Sequence, residues 1–179
     1  MLNPKVALRA QTQRGCQGFT LLELLITVAI VAILVTIAAP NFVSFVSESR
    51  LDTLQNRFVS SLSLARSEAI RRGTDITVCP RGSSDTSCGS SWANGWVVLD
   101  GSTTLRVEEA LGGSVALTLS SGSSVVFSST GAISSSDVQC AAFDDGDATT
   151  DARNIQISLF GRIKQWDYSG ICQYQAATE

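Results

Sequence analysis

Few residues in this 179-residue chain can do chemistry, and their types narrow what that chemistry is. There is no histidine, which removes the commonest general base, metal ligand and switch near neutral pH. No nucleophile–base pair, phosphate loop or metal-ligand cluster is present, so we expect no catalysis and no cofactor. Four groups remain. Cys79, Cys88, Cys140 and Cys172 lie beyond the N-terminal segment that holds Cys16. An even count in an exported domain reads as two disulfides. Three pairings are possible. Cys79–Cys88 and Cys140–Cys172 are favoured, because the first closes a short polar loop and the second ties down the C-terminal tail. Zinc is the alternative, but the spacings contain no CxxC and no histidine. Arg162, Lys164, Trp166 and Tyr168 alternate, so a strand would put them on one face, joining phosphate-binding charge to stacking surface. The competing reading is an edge strand whose basic side chains discourage pairing. Asp144, Asp145 and Asp147, with Asp151, offer carboxylates at close spacing, as calcium loops do, but no closing glutamate follows, and a solvated acidic loop is expected. The last group is a single carboxylate, Glu23, inside an apolar run.

That run is the element around which the chain is organised. Phe19 to Ala39 is 21 residues of mostly Leu, Ile, Val, Ala and Thr, enough at about 1.5 Å per residue to cross a hydrocarbon layer of roughly 30 Å. An unpaired carboxylate at that depth costs several kcal/mol, so Glu23 needs a positive partner reaching the same depth. Lys5, Arg9 and Arg14 precede the run with no acid among them, which predicts a cytoplasmic N-terminus and an outward C-terminus. An ordinary secretory signal would be cut after the run, at Ala38-Ala39.

Beyond Pro40, Leu51, Leu54, Phe58, Leu62, Ala65 and Ala69 form one apolar stripe on a helix, and Gly73 stands where its C-terminal cap belongs. One helix from Phe19 to Arg72, roughly 80 Å long, is therefore expected, with a possible kink at Pro40. From Thr74 the period changes. Strands are expected at 75–79, 95–100, 104–108, 115–119, 125–128, 154–159 and 162–166, separated by Gly- and Ser-rich turns, with residues 80–93 as a loop. The fold class is α+β: a long N-terminal helix, half hydrophobic anchor and half amphipathic, packed on an antiparallel β-rich domain.

Gly18-Phe19-Thr20-Leu21-Leu22-Glu23-Leu24-Leu25, followed by Pro40, resembles the class III signal of type IV pilins and type II secretion pseudopilins. The resemblance implies cleavage by prepilin peptidase between Gly18 and Phe19, N-methylation of Phe19, and pairing of Glu23 with the N-terminal amine of a neighbouring subunit. It divides the chain into a leader (1–18), a transmembrane and filament-core helix (19–40), an amphipathic half-helix (41–73) and a globular domain (74–179). Removing the leader takes three positive charges from a net −3 and leaves about −6. The stretch from Ser61 to Gly73, then Val78-Cys79, then Trp92 to Val98, is similar to the FimT/GspH group of minor pilins and pseudopilins. In FimT-type minor pilins of natural competence a C-terminal Gly-Arg-x-Arg element is implicated in DNA binding. Here it reads Gly161-Arg162-Ile163-Lys164, and lysine lacks the arginine fork. The resemblance thus implies a minor pilin that promotes pilus assembly, with double-stranded DNA as a partner at Arg162 and Lys164 during natural transformation. The alternative is a minor pseudopilin of type II secretion. Either would pass from the inner membrane, its C-terminal domain periplasmic, into a pilus or pseudopilus with other subunits. A membrane-tethered binding domain that never polymerises is a third reading, and it has no need of Glu23.

Overall fold

The computed structural model describes residues 19–147 and 152–166. The chain divides into two units, Met1–Pro40 and Asn41–Glu179. Helix α1 (Leu21–Arg72) runs through both.

In the first unit α1 starts at Leu21, two residues later than expected, because Thr20 caps it. The Thr20 hydroxyl accepts the Glu23 backbone N–H at 3.2 Å, which satisfies one of the amides left unpaired in a first turn. Every large apolar side chain described from Phe19 to Val35 is more than half exposed. Among the described residues no helix is long and apolar enough to cross a membrane. The span expected from Phe19 to Ala39 extends past Val35 and Thr36 to side chains outside that set.

The second unit is built on the rest of α1. The expected stripe is its buried face: Leu51, Phe58, Leu62, Ala65 and Ala69 are fully buried and Leu54 nearly so. Arg71 and Arg72 occupy the last turn, and Gly73 ends the helix at φ 70°, donating its N–H to the Ala69 carbonyl at 2.9 Å. Both arginines donate to Glu68, at 2.5 and 2.6 Å. Those bonds hold the Glu68 carboxyl down at about 2, from an ordinary 4.5. A depressed carboxyl contributes stability above its unfolded value and loses it as pH falls through the folded one. Replacing Glu68 by glutamine should therefore flatten the acid-induced loss of stability between about pH 4.5 and 2, while the wild type keeps its slope. Equal slopes in acid titrations followed by circular dichroism would count against the pairing.

Among the described residues eight strands follow: β1 (Ile76–Pro80), β2 (Trp96–Asp100), β3 (Thr103–Glu108), β4 (Ala116–Leu119), β5 (Val125–Phe127), β6 (Gln139–Asp144), β7 (Arg153–Ile157) and β8 (Ile163–Trp166). They form two antiparallel sheets of four, ordered β3-β2-β1-β5 and β4-β6-β7-β8. Phe58 of α1 joins them. Its ring meets Trp96 of β2 at 5.2 Å and Phe143 of β6 at 5.7 Å, both edge-on, and Trp92 at 5.8 Å. Trp96 also donates its ring N–H to the buried Ser61 hydroxyl at 2.9 Å.

In the first sheet, β1 and β2 are buried on both faces. Ile76, Val78, Trp96 and Val98 face the main core. Cys79, Val97 and Leu99 form a second, smaller core behind them. The loop after β1 covers it, and Thr104 of β3 donates to the Asp85 carbonyl of that loop at 2.6 Å. A 3₁₀ turn, Trp92–Asn94, overlaps the end of the expected loop, and its Trp92 packs into the main core.

Candidate functional site

The basic element sits on a tight hairpin. Residues 158–162 join β7 to β8, and the three-residue turn Leu159-Phe160-Gly161 is closed by the Gly161 N–H on the Ser158 carbonyl and the Ser158 N–H on the Arg162 carbonyl, 2.8 and 2.9 Å. A three-residue loop of this kind needs its third residue left-handed, and Gly161 has φ 71°. The glycine is also required for space. A Cβ there would lie 2.0 Å from the Gly131 carbonyl oxygen and 3.0 Å from Arg66 Nε.

Arg66 of α1 fastens this hairpin to the helix. Its Nε donates to the Gly131 carbonyl at 3.1 Å and its Nη2 to the Phe160 carbonyl at 3.0 Å. The backbone that presents Arg162 is thus held by the turn and by α1.

Arg162 and Lys164 are both exposed. They line one groove of 380 Å³ with Gln156, Ser158 and Phe160. The alternation expected along 162–168 brings these two together, but the Trp166 side chain and Tyr168 lie outside the described residues. The aromatic surface beside the cations is Phe160, 82% exposed. The sequence pattern puts it in the turn between the strands expected at 154–159 and 162–166. Two large apolar residues, Leu159 and Phe160, at the tip of a hairpin were the available signal.

Arg162 also lines a second groove, of 440 Å³, with Ser63, Arg66, Ser67, Ile70 and Ile163. Among the described residues its guanidinium makes no ion pair or side-chain hydrogen bond.

The cysteines divide by position. Cys79 and Cys88 form a disulfide with Cα atoms 5.5 Å apart. Cys140 is also disulfide-bonded, and its expected partner, Cys172, lies outside the described residues, as does Gly18.

The acidic loop departs from expectation. Asp144 is exposed, but Asp145 is buried and accepts a hydrogen bond from Ser47 of α1. Its other carboxylate oxygen accepts the Asp147 N–H at 3.0 Å. A buried carboxylate persists only when hydrogen-bonded, so this loop anchors the sheet to the helix. Asp151 lies outside the described residues. Among those described, no group of three or more His, Cys, Asp or Glu is placed to hold a metal.

The family model described as type II transport protein GspH matches residues 54–161, more than half of the chain. The chain belongs to the GspH family. The prokaryotic N-terminal methylation motif matches residues 13–39. As a GspH-family protein with that motif, it is a minor pilin or pseudopilin of the type IV pilus or type II secretion kind, processed by prepilin peptidase and assembled with other such subunits. Its α+β fold is similar to the type IV minor pilin FimU of Pseudomonas aeruginosa in two crystal forms. One has a TM-score of 0.58 at 20% identity, covering 72% of this chain and 97% of FimU. The other has a TM-score of 0.53 at 20% identity, covering 70% and 97%. A more distant likeness, TM-score 0.48 at 13% identity over 66% of this chain and 97% of the other, is to the minor pseudopilin EpsH from the type 2 secretion system of Vibrio cholerae. No curated protein matches the chain closely enough to be a relative.

Proposed function

We propose that this GspH-family protein is a minor pilin of a type IV pilus that promotes assembly and captures DNA through its β7–β8 hairpin. The observation that supports DNA capture is the shared groove of Arg162, Lys164 and Phe160 on a hairpin held by the helix. The net charge of about −6 after leader removal opposes strong non-specific binding to phosphate. Binding at the hairpin is therefore local, weak and salt-sensitive, and many subunits along a filament raise it by avidity.

The test is a titration of the detergent-solubilised full chain with double-stranded DNA at low and moderate salt. The wild type should bind with a salt slope that an R162A/K164A variant reduces by about 2, two phosphate contacts being lost. No binding at low salt would sink DNA capture and leave a structural filament subunit.

Before assembly the Phe19–Ala39 segment spans the inner membrane, with the second unit in the periplasm. The exposed apolar side chains of the first unit support this reading, since such a surface needs lipid or neighbouring helices. Cleavage falls between Gly18 and Phe19, and the new amine of Phe19 in one subunit meets Glu23 of another. Replacing Glu23 by alanine should strip the protein from sheared filaments while leaving its level in the membrane unchanged. Normal incorporation would favour the non-polymerising anchor.

The family description supports a second reading, a minor pseudopilin of type II secretion. Deleting the gene separates the two: loss of pili and transformation marks the first, and retention of exported enzymes in the periplasm marks the second.

A further inference from the structure

Phe160 has no role in the fold that accounts for its placement. It is 82% exposed, yet it is not on a loose loop. Gly161 closes the turn beneath it, and Arg66 holds its own carbonyl. A rigidly presented aromatic ring gives contact area without the entropy cost of ordering a flexible segment.

Its surroundings are chemically one-sided. The groove it lines contains Arg162 and Lys164, and the groove on the other side of Arg162 contains Arg66 with the hydroxyls of Ser63 and Ser67. Among the described residues, no carboxylate lines either groove. Cations and hydroxyls on both sides of a shared arginine suit a phosphodiester chain laid across the hairpin, from β8 over Arg162 to α1. An exposed ring beside such a chain suits the face of a base. In an intact duplex those faces are stacked inside the helix. In a single strand they are open.

We propose that the two grooves flanking Arg162 form one track for a single-stranded stretch of DNA, with Phe160 as its base-stacking surface. This rests on the DNA-binding reading above and adds which form of DNA the site takes and which residues take it. Arg66 and Arg162 serve phosphates, Ser63 and Ser67 line the second half of the track, and Phe160 makes the site sensitive to bases as well as to charge.

The experiment uses the full chain in detergent and three labelled probes of equal length: oligo(dT), an abasic sugar-phosphate strand and a duplex. Oligo(dT) should bind about 5-fold or more tighter than the abasic strand. F160A should remove that difference and F160W should keep it; both leave the fold intact, because the side chain is exposed. S63D, which puts a negative charge into the second groove at an exposed position, should weaken oligo(dT). Equal binding of oligo(dT) and the abasic strand, or a ratio that F160A leaves unchanged, overturns the stacking role. Oligo(dT) binding indifferent to S63D overturns the continuous track. Duplex binding with either of those outcomes leaves the broader reading standing. Failure of every probe to bind at low salt overturns both.

Discussion

Replacing Phe58 by alanine is expected to cost about 3–5 kcal/mol of stability, the range for deleting a fully buried phenylalanine side chain. Its ring is the point at which the two sheets meet the helix. It is fully buried and meets Trp92, Trp96 and Phe143 edge-on, with centroids 5.2 to 5.8 Å away. Each such pair adds about 0.5–1.5 kcal/mol beyond burial. Trp96 comes from the first sheet and Phe143 from the second, so the hole left by alanine touches both. Trp96 cannot swing into it freely, since its ring N–H is bonded to Ser61. A domain of ordinary stability, about 5–15 kcal/mol, would lose a large share of its margin. Urea denaturation followed by tryptophan fluorescence reads the effect, and Phe58→Leu should lose distinctly less. A loss under about 1 kcal/mol for the alanine variant would show that the sheets do not depend on this contact.

The second large effect is expected at Gly161. Alanine there meets two penalties: a left-handed φ of 71° and a Cβ 2.0 Å from the Gly131 carbonyl oxygen. The first costs about 1–2 kcal/mol. The second forces two backbone segments apart, which adds about 1–3 kcal/mol. Gly73 is the internal control. Its φ is 70°, but nothing lies within 4 Å of a Cβ there, so Gly73→Ala should show the conformational cost alone. The difference between the two variants in one denaturation series isolates the steric contact, and equal losses would refute it. If the proposed DNA capture holds, Gly161→Ala should also weaken it with Arg162 and Lys164 both still present, because the turn that aims them moves.

The helix was legible because its burial is periodic. Each residue of the stripe from Leu51 to Ala69 is buried, since a helix on a flat core repeats its inward face every three or four residues. Strands with β-branched or aromatic runs were legible to within a residue or two, as Ile76–Pro80 and Trp96–Asp100 show. β6 was not. Gln139-Cys140-Ala141-Ala142-Phe143-Asp144 has few strand-favouring residues and no alternation, because five of its six side chains are at least mostly covered on one face or the other. It pairs with β4 and β7, so tertiary context overrides its weak propensity. The same holds at the site. Arg162 and Lys164 could be picked out by spacing, and the structure lines one groove with both. Phe160 was signalled only by two large apolar residues in a turn, and Arg66 could not be picked out, because its relation to the hairpin depends on a contact across 94 residues of sequence.

The side arms of α1 have a consequence for how this domain can change over generations. Arg50 reaches the Leu111 carbonyl, Arg57 reaches Glu108, Arg66 reaches Gly131 and Phe160, and Arg72 reaches Asp100. Four points along the helix are thus each assigned to a particular strand end or loop. One residue inserted between these arginines would rotate everything beyond it by about 100° and advance it by about 1.5 Å, so later assignments would fail together. An insertion after Gly122, past the bonds that Ser120 and Ser121 make with β6, should displace only the tip of that turn. Loop tips outside these contacts are therefore expected to tolerate changes of length, while the second half of the helix keeps its count.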